Sequence, residues 1–435
     1  MKKRDRLNNF VRLLAALVIA AGGFGLWPSS QPESRDSSSL LVSTAYADVL
    51  ATDLIGGKPQ GMYPIDDPPD IAAPSALVAT ADGLILWERN GTLPLPMAST
   101  TKMMTAIIAL ENSQLQHECL VTMGAANTIG TSASLKQGDV TTMHTLLIGL
   151  MLPSGNDAAV AIAENIAGTE FDFVVMMNQK AVELGMLNTN YVDASGLDED
   201  NLYSTVEDYL ILARYAMRNE VFRQLVAMRE ATVIINGREI VWKTTNRLFE
   251  MMEGVIGVKT GTNIEADACL VSAVVYNGIT FYCVVFGSPT DYSRYTDTIT
   301  LLNWAFKHYR TVDLISSTDK VADLALLSWI DKTVGVRVPL PITINIFDLA
   351  GPIKQEVELE DWQGSIIRGQ RVGRIIWSQN GEVLATSELV ADTTVAEPGF
   401  WKSFTISWDR FWGGFSGKPK HASTQLHLPD ILLLP

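Results

Sequence analysis

Ser99-Thr100-Thr101-Lys102 places a hydroxyl and an amine three residues apart, so on a helix both side chains share a face. The run that follows, Met103-Met-Thr-Ala-Ile-Ile-Ala-Leu110, is apolar nearly all round, the pattern of a buried helix. A serine at such a start meets the unpaired N–H groups and positive dipole end of the helix, which favour developing negative charge. The chemistry implied is nucleophilic attack by Ser99, and a hydroxyl needs a base to act as a nucleophile. Lys102 can serve only after losing its own proton. Moving a lysine from about 10.4 to about 7 requires the neutral form to be favoured by about 4.6 kcal/mol, which burial and a second cation can supply.

Ser-x-x-Lys alone identifies nothing, because Ser317-Thr318-Asp319-Lys320 matches it too, in a stretch with no companion motif downstream. In the same way Ser154-Gly155-Asn156 competes with Ser378-Gln379-Asn380, which leads into a hairpin turn. Lys259-Thr260-Gly261 occurs once, at the end of a predicted strand. Taken in order, Ser99-x-x-Lys102, Ser154-x-Asn156 and Lys259-Thr260-Gly261 form the triple that serves penicillin-binding proteins and serine β-lactamases. The surroundings narrow this. Pro96-Met-Ala-Ser-Thr-Thr-Lys-Met-Met-Thr105 and Leu152-Pro-Ser-Gly-Asn-Asp-Ala-Ala159 resemble the D-alanyl-D-alanine carboxypeptidases among the low-molecular-mass penicillin-binding proteins. Met176-Met-Asn-Gln-Lys-Ala, Leu184-Gly-Met-Leu-Asn-Thr189, Gly196-Leu-Asp198 and Leu212-Ala-Arg-Tyr-Ala216 extend the resemblance over roughly residues 75–310. Gly369-Gln-Arg-Val-Gly373 resembles the family's C-terminal domain more loosely.

That resemblance implies Ser99 as nucleophile, Lys102 as its base, and Ser154 with Asn156 as a second proton-handling and substrate-positioning arm. It implies that Lys259 and Thr260, beside Gly261, face the substrate's terminal carboxylate, and that the backbone N–H groups of Ser99 and Thr262 form the oxyanion hole. Arg294 stands where the family often keeps a carboxylate-binding arginine. The implied substrates are peptidoglycan stem peptides ending in D-Ala-D-Ala, with β-lactams as covalent inhibitors, and no cofactor or metal is needed. After Lys259-Thr-Gly-Thr262 the chain departs from the family: Asn263-Ile-Glu-Ala-Asp267-Ala-Cys269 replaces the usual glycine and aromatic before the cysteine.

Other readings share the motifs. A class A β-lactamase adds a deacylating glutamate in a Glu-x-x-Leu-Asn pattern, which Glu183 with Leu187-Asn188 misses by one residue. An endopeptidase uses the same chemistry on cross-links, and a non-catalytic penicillin-binding scaffold would hold the wall through its later domain.

The elements that must position these residues follow from patterning over the 435 residues, a length that predicts two domains with non-globular ends. Ser75–Thr80 and Gly83–Trp87 read as a hairpin. Helical periodicity then dominates from Ala98 to about Met228, including Asp157–Ile166, Phe171–Leu184 and Thr205–Arg218. Strands return over Val233–Val241 and Ile256–Thr262, then Leu270–Tyr276 and Ile279–Phe286 flank Asn277-Gly278, a two-residue hairpin signal. Another helix runs through Trp304 and Phe306, and short strands follow, with a hairpin at Asn380-Gly381. The predicted fold is α+β: a β-lactamase/transpeptidase-like catalytic domain of antiparallel sheet with helices, then a small all-β domain and a C-terminal amphipathic helix. The expected divisions are an export segment 1–47, a leader 48–75, the catalytic domain 76–311, the all-β domain 312–396, the helix 397–415 and a tail 416–435.

The ends carry their own signals. Lys2, Lys3, Arg4 and Arg6 precede an apolar run from Leu13 to Trp27, with a cleavage pattern at Ala45-Tyr46-Ala47, so the chain is expected outside the cytoplasm. Near the other end Phe400, Trp401, Phe404, Trp408, Phe411, Trp412 and Phe415 fall on one helical face, opposite Lys402, Ser403, Ser407, Asp409 and Arg410, with Ile406 the exception. Aromatic stripes of this kind favour a membrane–water boundary, so residues 399–413 are expected to lie on a membrane surface. A formal net charge of -15 argues against a nucleic-acid partner. The odd set Cys119, Cys269 and Cys283 shows no disulfide framework or zinc spacing, and the five histidines contain no His-Glu-x-x-His pair.

Overall fold

A computed structural model describes residues 68–197, 200–416, 421–428 and 431, with the backbone alone for 413–416. All of them belong to the compact unit Val49–Pro435. The export segment, the start of the leader and half of the tail lie outside the described residues.

Strands β1 (Ser75–Thr80) and β2 (Ile85–Arg89) form the expected hairpin. The helical middle contains α1 (Lys102–Asn112), α2 (Met143–Met151), α3 (Asn156–Ala167), α4 (Glu170–Leu184), α5 (Val206–Ala216) and α6 (Glu220–Ala227). Threonines do much of the starting: Thr142, Thr169 and Thr205 each accept a backbone N–H three residues on, at α2, α4 and α5. Between α1 and α2 the chain makes a short ribbon, β3 (Glu118–Leu120) with β4 (Val140–Thr142), too short to leave a period in the sequence.

The segment read as one strand over Val233–Val241 is two, β5 (Glu230–Ile235) and β6 (Arg238–Lys243). Asn236 (φ 48°) and Gly237 (φ 75°) turn the chain between them. This is the Asn-Gly hairpin signal again, and both residues tolerate a left-handed backbone. Strands β7 (Val255–Asn263), β8 (Asp267–Tyr276) and β9 (Ile279–Ser288) then complete a five-stranded sheet of order β2-β1-β9-β8-β7, antiparallel throughout. Helix α7 (Ser293–His308) covers one side of it, and the helical middle lies against the other through α5 on β9 and α6 on β7. Helix α1 is enclosed by its neighbours, and every residue from Lys102 to Ala109 is buried.

From α7 the chain runs straight into β10 (Tyr309–Ile315), followed by β11 (Ala322–Ala325), β12 (Thr333–Arg337), β13 (Ile342–Phe347), β14 (Ile353–Leu359), β15 (Arg371–Gln379) and β16 (Glu382–Ala391). Strands β10 and β13 pair with each other, and the rest form a sheet of order β14-β15-β16-β12-β11 extended by Gln425–Leu426. This all-β part has its own core, around Trp377, Leu389, Ile375, Val336 and Leu324. Phe347, at the end of β13, belongs instead to the core of the catalytic sheet, where it meets Trp304 edge to face. Gln379 ties the same corner with bonds to the carbonyls of Phe347 and Gly351.

Helix α8 (Phe400–Ser416) turns its two faces to different surroundings. Phe400, Trp401, Phe404, Trp408, Phe411 and Trp412 are 55–79 % exposed, while Ile406 is 4 % exposed and packs into the β core. The isoleucine that broke the polar face is the residue that docks the helix. Arg410 adds bonds from Nη2 to the carbonyls of Leu327 and Trp329. The side chain of Phe415 lies outside the described residues. All three cysteines are buried and unpaired, and no helix among the described residues is long and apolar enough to cross a membrane.

Candidate active site

Ser99 sits on a single 3-10 turn, Ala98–Thr101, that leads into α1, with Lys102 the first residue of the helix. Ala98 has φ 45°, a conformation that β-carbon-bearing residues adopt at a cost, so the turn is held by its surroundings. Two of those surroundings are glycines. A β-carbon on Gly261 would lie 2.8 Å from the Met97 carbonyl and 3.1 Å from the Ser99 nitrogen, and one on Gly196 would lie 2.0 Å from the Ala98 carbonyl. Bare backbone on β7 and on the loop before α5 is therefore what lets the chain close around Ser99.

Lys102 is fully buried, and its Nζ has three neighbours: Ser99 Oγ at 3.0 Å, Asn156 Oδ1 at 2.7 Å and the Ser195 carbonyl at 2.6 Å. A neutral amine has two hydrogens and one lone pair. The two carbonyl-type oxygens accept the hydrogens, which leaves the lone pair aimed at the Ser99 hydroxyl. Burial lowers the Lys102 pKa to about 7, against the opposing pull of Asp193 and Asp157. The neutralisation required by the sequence is thus supplied chiefly by desolvation.

The second arm reaches from α3. Ser154 has φ 63°, Thr131 Oγ1 donates to its carbonyl at 2.5 Å, and its own Oγ lies 2.9 Å from Lys259 Nζ. Buried Asn156 is held at both ends, with Oδ1 on Lys102 and Nδ2 donating to the Ile129 carbonyl at 2.8 Å. Lys259, on β7, is buried as deeply as Lys102, and its pKa is driven well below the usual value by burial first, then by the charges of Lys102 and Arg294. Thr260 Oγ1 bonds Thr245 Oγ1 at 2.6 Å. Arg294, at the start of α7, passes under β7: Nη1 donates to the Gly261 carbonyl at 2.8 Å and to Thr262 Oγ1 at 2.6 Å, and Nη2 pairs with Asp291 at 2.5 Å. Hydrogen bonds thus bring Ser99, Lys102, Ser154, Asn156, Lys259, Gly261, Thr262 and Arg294 together where α1, α3 and β7 meet, with Thr260 beside them on β7.

The decoys stand elsewhere. Ser317 and Lys320 are in the turn after β10, where Lys320 pairs with Asp323, and Gln379 of the second Ser-x-Asn braces the domain corner. Glu183 lies on α4 with its side chain 63 % exposed and paired to Lys180, so it offers no deacylating carboxylate to the cleft. The rim departure from the family is a β7–β8 turn in which Ile264 is 89 % exposed and Asn263 Oδ1 accepts the Ala266 N–H.

Sequence reasoning missed the supports. Asp193 Oδ1 accepts from the N–H groups of Ser195 and Gly196 and from the Ser195 hydroxyl, folding the turn that presents the Ser195 carbonyl to Lys102. Asp157 takes Ala133 N–H, Leu135 N–H and the Ser132 hydroxyl, fixing the loop beside Ser154. The only sequence trace of the first is an aspartate two residues before Ser195-Gly196.

With this geometry in hand, the comparisons decide the family. The family profile described as D-alanyl-D-alanine carboxypeptidase matches residues 64–290. The chain belongs to that family. It is 31 % identical to the D-alanyl-D-alanine carboxypeptidase DacF of Bacillus subtilis over 338 residues, covering 76 % of this chain and 87 % of the relative. Among solved structures it is similar to the Streptomyces K15 DD-transpeptidase, with a TM-score of 0.53, 32 % identity, and 55 % of this chain and 99 % of that one covered. It is also similar to penicillin binding protein 5 from Haemophilus influenzae, with a TM-score of 0.56, 25 % identity, and 76 % and 99 % covered. The activity is that of a serine-type D-Ala-D-Ala carboxypeptidase, a hydrolase.

Proposed function

We propose that Ser99, with Lys102 as its base, attacks the D-Ala-D-Ala bond of peptidoglycan stem pentapeptides. The Ser99 Oγ–carbonyl bond forms as its proton passes to Lys102, and the peptide C–N bond breaks as the departing D-alanine amine takes up a proton. Water then attacks the ester, Lys102 again receiving a proton, and the shortened peptide leaves with Ser99 regenerated. Ser154, bonded to Lys259, is the second proton-handling group, and Asn156 fixes the Lys102 amine. The N–H groups of Ser99 and Thr262 bind the oxyanion, where one donor contributes about 3–4 kcal/mol. Lys259, Thr260, Thr262 and Arg294 receive the terminal carboxylate. The observation that carries this reading is the pair of acceptors, Asn156 Oδ1 and Ser195 O, that leaves the Lys102 lone pair to Ser99. β-Lactams, which present a strained amide and a carboxylate, acylate the same serine. Benzylpenicillin followed by digestion and mass spectrometry should place the adduct on the peptide bearing Ser99, and an adduct elsewhere contradicts the assignment. Arg294→Ala should reduce turnover of a D-Ala-D-Ala peptide much more than acylation by penicillin, and equal losses would remove Arg294 from the site.

The same reading divides the chain at about residue 311 into catalytic and all-β domains, supported by their separate cores. It locates the enzyme outside the cytoplasm, supported by the export pattern of residues 1–47. Attachment to the outer face of the membrane is through α8, whose exposed aromatic stripe supports it.

A further inference from the structure

The turn that precedes α7 brings a carboxylate to the place reserved for the substrate's. Asp291 Oδ1 lies 2.5 Å from Arg294 Nη2 and 3.4 Å from Thr262 Oγ1. These are two of the groups assigned above to the C-terminal carboxylate of the peptide. We propose that Asp291 is a specificity-determining residue whose carboxylate occupies this position in the free enzyme and must be displaced by the carboxylate of the incoming peptide. The inference rests on the assignment of Arg294 to carboxylate recognition.

The two partners differ in freedom. The Arg294 side chain is 5 % exposed and is held by the carbonyls of Gly261 and Cys269, by Thr262 Oγ1 and by the Tyr295 hydroxyl. The Asp291 side chain is 56 % exposed, so it can turn into solvent while the guanidinium stays. The backbone beneath it is fixed, because Thr290 and Ser293 exchange bonds, each hydroxyl accepting the other's N–H at 2.9 Å. Displacement therefore needs only a side-chain rotation. An arriving carboxylate replaces one ion pair by another, whereas a C-terminal amide brings no charge to compensate Arg294. A free C-terminus is thereby favoured, and Asp291 acts as an internal competitor that raises KM.

A double-mutant cycle on the full chain tests this, with N,N′-diacetyl-Lys-D-Ala-D-Ala as the probe, whose only charge is its carboxylate. Asp291→Asn should lower KM about three- to five-fold, the scale of a partly exposed ion pair, with kcat held within about two-fold. In an Arg294→Ala background the same change should leave KM where it was. An equal fall in both backgrounds makes Asp291 a surface charge and overturns the proposal, as does an unchanged KM in Asp291→Asn. If Arg294→Ala alone leaves KM and kcat intact, it is the assignment of Arg294 that fails.

Discussion

Lys102 and Lys259 are both buried, and burial pushes both toward the neutral state, with different uses. For Lys102, as the proposed base, neutrality is the working form. Acylation of Ser99 should therefore be slow at acid pH, rise by about ten-fold per pH unit below the midpoint, and level off above a midpoint near the Lys102 pKa of about 7. Stopped-flow acylation by a β-lactam across pH 5–9 reads this directly, and a pH-independent rate over that range would exclude Lys102 as base. Asp193 opposes the neutralisation from its buried carboxylate. Asp193→Asn keeps an oxygen for the Ser195 and Gly196 N–H groups but removes the charge, so it should move that midpoint to lower pH; a midpoint that stays put or rises would show that the charge is not felt. At this scale the sequence singled out Ser99, Lys102, Ser154 and Lys259 because three motifs occur in a fixed order, and the fold brings them together in two bonded pairs. It did not reach the Ser195 carbonyl, since a backbone acceptor has no side-chain signature.

Among the elements, β7 and the loop before α5 act on the Ser99 turn through what they lack. Gly261→Ala sets a β-carbon against the Met97 carbonyl and Ser99 nitrogen, so β7 must withdraw from the 3-10 turn. Acylation should fall by at least about a hundred-fold, because small displacements of reacting groups carry costs of that order. Circular dichroism should remain native, and a full rate would show that β7 does not set the site. Gly196→Ala meets a backbone carbonyl at 2.0 Å from a left-handed residue and should destabilise the fold by at least about 2 kcal/mol in denaturant titration. The hairpins at Asn277-Gly278 and Asn380-Gly381 were legible from turn chemistry. The equivalent signal at Asn236-Gly237 was overridden by the β-branched run around it, which reads as one strand. Ile406 marks the other limit: a lone apolar residue on a polar face reads as noise until the domain it docks on is seen.

Across the whole molecule, the all-β part holds the catalytic sheet through one contact and α8 through another. It is joined to the catalytic sheet by Phe347 on Trp304 and to α8 by Ile406. Partition into lipid and catalysis should therefore separate. Replacing Phe404 and Trp408 by serine should weaken binding to anionic phospholipid vesicles by at least about ten-fold, since burying one large apolar side chain contributes about 1.5–3 kcal/mol, while D-alanine release is unchanged. Undiminished vesicle binding would remove the stripe from membrane attachment. The two-part architecture was legible in the change from helical to alternating patterns near residue 312. The interlock at Phe347 was not, because a long-range contact leaves no local period.

The central claim, hydrolysis through an ester on Ser99, is tested most directly by D-alanine released from N,N′-diacetyl-Lys-D-Ala-D-Ala by residues 48–435 and by their Ser99→Ala variant. Stoichiometric release of D-alanine and the shortened peptide is expected from the first and none above background from the second. No release by the unaltered enzyme, or equal release by Ser99→Ala, would contradict it.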